Sequence, residues 1–159
     1  RIVKFNSGKS YLCKENFNIR IGNKIMFDDL INLGVTPRKS LHMQFPEIPP
    51  IYFGHFLRGY FDGDGCLMVR VRKGQNAKEV RVVFTSGCEE FLNILSNKLR
   101  SLIQTKSKSA NRNGEAFNLA YRKRDGLNIL SFMYQGLDKA PFLDRKYAIY
   151  KNYLMSSQT

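Results

Sequence analysis

Acidic side chains are in short supply in this sequence. Asp and Glu number 13 against 26 Lys and Arg, so the formal net charge is +13. A 159-residue chain tolerates such self-repulsion when a polyanionic partner offsets it. Cysteine is also sparse: Cys13, Cys66 and Cys88 are odd in number and form no C-x-x-C pair. With only His42 and His55 to supplement them, a structural zinc site is not expected. Three scattered thiols fit a reducing intracellular compartment. Long apolar runs are missing, so no segment is expected to span a membrane. A charged-then-apolar leader is missing too, so no secretory signal is expected. A basic membrane-surface helix would gather its cations on one helix, whereas here Lys and Arg fall mostly on strand-like segments. Nucleic acid is therefore the expected partner, in a compartment that is reducing and holds DNA, a bacterial cytoplasm or an organelle.

What is present is ordinary globular material, 43% hydrophobic and 25% charged, enough for one domain. The chain begins at Arg1 rather than Met, which leads to an expectation of further sequence upstream. Residues 1–21 read as a β-hairpin turning at Asn6–Lys9, with Phe17, Ile19 and Ile21 alternating against Asn18 and Arg20. Gly22-Asn23 opens a helix of about ten residues with Ile25, Met26, Leu30 and Leu33 on one face, closed by Gly34. Four prolines between Val35 and Pro50 mark an irregular connector.

Beyond Pro50, Phe53, Phe56, Leu57, Tyr60 and Phe61 form a helical stripe that ends at Asp62-Gly63-Asp64-Gly65. Two extended runs follow, Cys66–Arg72 and Glu79–Thr85, and then a helix capped by Ser86 or Gly87 carries Leu92, Leu95, Leu99, Leu102 and Ile103. A second hairpin is predicted from Thr105 to Arg124, turning near Asn111–Gly114, and helices over Leu127–Gln135 and Asp144–Met155 close the chain. The order is αββαββα, an α+β arrangement. Residues 1–45 look like the tail of one repeat plus a linker, and residues 46–159 like one complete repeat.

The string Leu57-Arg58-Gly59-Tyr60-Phe61-Asp62-Gly63-Asp64-Gly65 carries the chemistry. It resembles the signature of the LAGLIDADG homing endonucleases at Leu57, Gly59, Asp62, Asp64 and Gly65. Leu33–Ser40, Thr85-Ser86 and Phe142–Tyr147 also resemble family phrases at their positions. The resemblance implies a curved antiparallel sheet forming a DNA-binding saddle, and site-specific hydrolysis of double-stranded DNA. It further implies that two motif helices pack together, each delivering one acid. His55, Gly59 and Asp62 would lie at that helix interface, where a glycine lets backbones approach closely. An ordinary glycine in a buried helix is the plainer alternative.

Asp64, with glycine on both sides, would hold a divalent metal together with the Gly63 carbonyl. Mg²⁺ suits few protein ligands because it keeps its waters, and Ca²⁺ or Mn²⁺ could occupy the same place. A calcium loop starting at Asp62 would need an acid at its twelfth position, where Lys73 stands, so that reading fails. Residues 1–45 hold no second Asp-x-Asp-Gly. The second motif would come from an upstream segment or a second chain. The family also places a basic residue near its metal site. Lys123 is the choice here, although Arg122, Lys123 and Arg124 could equally all be phosphate contacts.

Strand alternation divides the sheet faces. Leu67, Val69, Val71, Val80, Val82, Phe84, Phe117, Leu119 and Tyr121 point to the helices. Met68, Arg70, Arg72, Arg81, Val83, Thr85, Asn118, Ala120, Arg122 and Arg124 point away, with Lys106 and Lys108 in phase on the third strand. A β-ribbon of that character fits the major groove, where Arg binds guanine in bidentate fashion. Two other functions use the same surface without cleavage: a regulatory DNA-binding protein and an intron-RNA-binding maturase.

Overall fold

The computed structural model describes residues 19–35, 37, 43–71, 78–137 and 140–156. The chain divides into two compact units, Arg1–Val35 and Thr36–Thr159. In the first, the predicted hairpin lies outside the described residues except for Ile19–Ile21, which carry no strand. Helix α1 spans Lys24–Asn32. Asn23 caps it by accepting the Met26 N–H at 3.0 Å. Gly34, at φ +84°, closes it with Gly34 N–H to the Ile31 carbonyl and Val35 N–H to the Leu30 carbonyl. That pair of bonds is a Schellman ending, which favours glycine at the left-handed position.

The second unit is α+β in the predicted order. A 3₁₀ turn at Pro50–Tyr52 leads into α2, Phe53–Asp64. Strands β1 (Cys66–Val71) and β2 (Lys78–Ser86) follow, then α3 (Glu89–Ile103), β3 (Asn111–Asn113), β4 (Ala116–Arg122), α4 (Lys123–Met133) and α5 (Asp144–Ser156). The sheet is antiparallel with strand order β1-β2-β4-β3. Its inner face supplies Val80, Val82, Phe84, Leu119 and Tyr121 to the core. Leu57 and Phe61 of α2, Leu92, Leu95 and Leu99 of α3, and Ile129 and Leu130 of α4 close over them. Each of these side chains contributes about 1.5–3 kcal/mol by leaving water.

Several local expectations are corrected. The third strand is three residues long, and Lys106 and Lys108 precede it rather than lying on it. The backbone of the segment bonds to side chains of α3 instead of pairing with β4: the Lys108 N–H donates to Ser96 Oγ and the Ala110 N–H to Asn93 Oδ1, each at 3.0 Å. Helix α4 starts at Lys123, four residues earlier than predicted, so Arg124 sits in its first turn and not on the outward face of β4. Gly126 is buried in this first part of α4, and a methyl there would stand in contact, 3.4 Å from both the Tyr121 carbonyl and Val80 Cγ1. The cap of α3 is Cys88, and Ser86 contributes by accepting the Cys88 N–H on its Oγ at 3.0 Å. Val71 ends edge strand β1 and is 64% exposed, whereas Val83, on the outward face between Cys66 and Ala120, is 5% exposed.

Candidate functional site

The outward sheet face is organised in rows set by register. One row runs Met68, Arg81, Arg122. The next runs Cys66, Val83, Ala120, and the one after it holds Thr85, Asn118 and Asn111. Thr85 Oγ1 donates to Asn118 Oδ1 at 3.0 Å. Arg70 lies opposite Glu79 at the far end. Like charges directly opposite each other in a sheet are unfavourable, yet Arg81 faces Arg122. The Arg81 Nε is moreover buried without a hydrogen-bond partner among the described residues. Arg72, also assigned to this face, lies outside the described residues.

Lys108 is committed within the chain. Its Nζ donates to the Ala120 carbonyl at 2.9 Å and lies 5.4 Å from the centre of the Tyr121 ring. It occupies the edge of β4 beyond the point where β3 pairing ends at Asn118. Lys106 is exposed. Arg122, Lys123 and Arg124 are exposed together where β4 turns into α4, a turn made by Lys123 at φ +51°. Cys66 is level with Ala120 in the sheet. β4 runs parallel to β1, so Lys123, three residues further along, falls level with Val69, about 10 Å from the Cys66 level on the side away from Asp64.

The acidic string forms the last turn of α2 and the corner into β1. Gly65 is obligatory at that corner: a Cβ there would meet Phe61 Cδ2 at 2.2 Å and the Phe61 carbonyl oxygen at 2.6 Å. Asp64 is the last helical residue and is exposed. Asp62 faces elsewhere, its Oδ2 accepting the Leu143 N–H at 2.9 Å while its Oδ1 is buried without a hydrogen-bond partner among the described residues. His55, Gly59 and Gly63 share an exposed face of α2. Around Gly59 and Gly63 nothing lies within 4 Å of where a Cβ would be. The smallness of these two residues therefore serves no packing within the described residues. His55 is oriented by Arg58 Nη2, which donates to its Nδ1 at 2.7 Å.

Sequence reasoning missed two buried cations, each at the C-terminus of a helix. Arg58 donates from Nη1 to the Met133 carbonyl at the end of α4 (2.6 Å) and from Nε to the Pro141 carbonyl (3.1 Å). Lys146, 2% exposed, donates from Nζ to the carbonyls of Phe61, of Asp62 at 3.1 Å and of Gly65 at 2.6 Å, ending α2. Cations are favourable at helix C-termini. Burial nevertheless pulls the Lys146 ammonium below the ordinary lysine value, and Arg145 adds to the effect. The available signal was a lysine in the first turn of a helix, against that helix's own dipole, set among Phe142, Leu143 and Tyr147. Burial also raises the Tyr60 phenol to about 12, with its hydroxyl donating to the Thr85 carbonyl at 2.6 Å.

The donor set was tested against a divalent cation. No group of three or more His, Cys, Asp or Glu side chains occurs among the described residues. Asp64 adds one free carboxylate, and no hydrogen bond reaches the Gly63 or Asp64 carbonyl among the described residues. One carboxylate and two carbonyls are hard oxygens of the kind that Mg²⁺, which keeps several of its waters, accepts.

The geometry is that of an acid-tipped helix beside an antiparallel sheet whose outward face carries Arg70, Arg81 and Arg122. Residues 57–156 match the family described as LAGLIDADG endonuclease, and the chain belongs to that family. A solved structure, that of the LAGLIDADG homing endonuclease I-GzeII in complex with a DNA target, is similar at 20% identity with a TM-score of 0.43. The similarity covers 70% of this chain and 38% of the I-GzeII chain. No curated protein matches. No helix among the described residues is long and apolar enough to cross a membrane.

Proposed function

We propose that this chain is the DNA-gripping, acid-carrying half of a site-specific double-stranded DNA endonuclease of the homing type. One observation carries the reading. Asp64 is exposed at the end of a helix whose open, side-chain-poor face invites a second helix, and the strand that follows it enters the cationic sheet. The outward rows would lie in the major groove, with Arg70, Arg81 and Arg122 toward guanine edges or phosphates and Thr85 and Asn118 toward bases. Met68 supplies apolar contact. A partner motif, from an upstream segment or a second chain, would pack on His55, Gly59 and Gly63 and bring the second acid. Asp64 and the Gly63 carbonyl would hold Mg²⁺. When bound, such a cation activates water and stabilises the leaving oxygen. Arg122, Lys123 and Arg124 would neutralise phosphates at the sheet end.

The test is a cleavage assay on a mixed-sequence duplex library, with and without Mg²⁺, near physiological ionic strength because low salt exaggerates affinity. Metal-dependent cuts at one sequence are expected. Tight sequence-specific binding without any cut, by a chain that light scattering shows to be paired with a second motif, would replace the reading by that of a regulatory DNA-binding protein. Preference for structured RNA over duplex would replace it by that of a maturase.

A further inference from the structure

We infer that Lys146 is a positioning residue for Asp64: its buried ammonium selects which carbonyls at the end of α2 remain open to a metal. The inference deepens the reading proposed above and rests on it. An α-helix ends with four carbonyls that lack helical partners; because the Gly65 N–H closes the last helical bond onto Phe61, in α2 these belong to Asp62, Gly63, Asp64 and the capping Gly65. Phe61 receives the Gly65 N–H at 2.8 Å as well as Lys146. Asp62 receives Lys146 on its carbonyl and the Leu143 N–H on its side chain. The third ammonium proton goes past the helix to the Gly65 carbonyl. All three protons of one ammonium are thus spent on the carbonyls flanking the Gly63-Asp64 pair. That pair is left open, directly beside the Asp64 carboxylate.

The arrangement is costly enough to need a purpose. Lys146 is buried with no carboxylate within ion-pair distance among the described residues. A buried charge held by carbonyl dipoles, with the Asp62 and Asp64 carboxylates acting on it without direct contact, is poorly compensated. Its Nζ also lies 4.6 Å from the centre of the Phe61 ring, and that ring packs against Gly65. Strand entry, helix end and the start of α5 therefore converge on one nitrogen. A guanidinium cannot reproduce this, because its five donors lie in a flat fork and do not converge on three carbonyls around a point.

The test is Mn²⁺ binding to the full chain, followed by electron paramagnetic resonance, in the native protein and in Lys146→Arg. Arginine keeps the charge, so any change reads geometry. At least tenfold weaker Mn²⁺ binding is expected, with duplex-DNA affinity in the absence of metal within twofold of native. Unchanged Mn²⁺ binding in folded Lys146→Arg would overturn the inference. Asp64→Asn separates the two levels: if it leaves Mn²⁺ binding intact, the metal reading itself fails. Should Lys146→Arg not fold, the native protein decides. The ¹⁵N resonance of the Lys146 ammonium is expected to move on Mg²⁺ titration and to stay put in Asp64→Asn. A resonance unmoved by Mg²⁺ in the native protein would also overturn the inference.

Discussion

Single residues at the α2–β1 corner carry most of the geometry. Gly65 is held there by contact rather than by backbone angle, since its φ is −86°. The methyl of Gly65→Ala would collide with Phe61, whose ring is fully buried against Phe84. Overpacking of this kind costs about 1–3 kcal/mol, and urea unfolding of the variant is expected to show that loss. Tyr60 gives a pH prediction. Burial raises its phenol to about 12 from the usual 10, so between those values the folded chain holds a proton that the unfolded chain has released. The stability this contributes is complete below pH 10 and is lost as pH rises through 12. Thermal melts should therefore fall more steeply above pH 10 for the native protein than for Tyr60→Phe.

At the scale of elements, the free face of α2 sets the strongest constraint. Glycine in a helix interior is unfavourable by about 0.5–1 kcal/mol relative to alanine, and neither Gly59 nor Gly63 touches anything that would forbid a side chain. Gly59→Leu should thus leave the isolated fold as stable as before, or more so, in a denaturant titration. It should also abolish association with a second motif, read by light scattering or by loss of cleavage. The helices and first two strands were legible because each buries one face, and burial writes its period into the sequence. Phe53, Leu57 and Phe61, and Val80, Val82 and Phe84, are where that period put them. The third strand was not legible. Lys106 and Lys108 alternate as a strand would, but side chains of α3, Ser96 and Asn93, take the backbone donors of that segment. The early start of α4 escaped for a similar reason, since a basic Lys123-Arg124 pair is a poor helix opening by charge. At the candidate site, the exposed helix-end position of Asp64 and the outward positions of Arg70, Arg81 and Arg122 follow from motif and alternation, while Arg124 does not. Arg58 and Lys146 were not legible, because tertiary carbonyls acquire no sequence pattern of their own.

For the whole molecule, the excess of 13 positive charges predicts an affinity dominated by counterion release. Duplex-DNA binding should weaken by about 10³-fold or more between 50 and 200 mM salt if six or more phosphates are engaged. Removing phosphate-contacting charges with Lys123→Ala and Arg124→Ala should flatten that slope without changing the preferred sequence. Arg81→Ala should instead relax discrimination at one base pair, by about 1–3 kcal/mol. A competition binding series over ionic strength separates the two effects.

The most direct measurement is the cleavage rate of Asp64→Asn on the preferred duplex at saturating Mg²⁺, with affinity for that duplex measured in parallel. The account predicts cleavage lost and affinity nearly unchanged. Cutting at the native rate would contradict it.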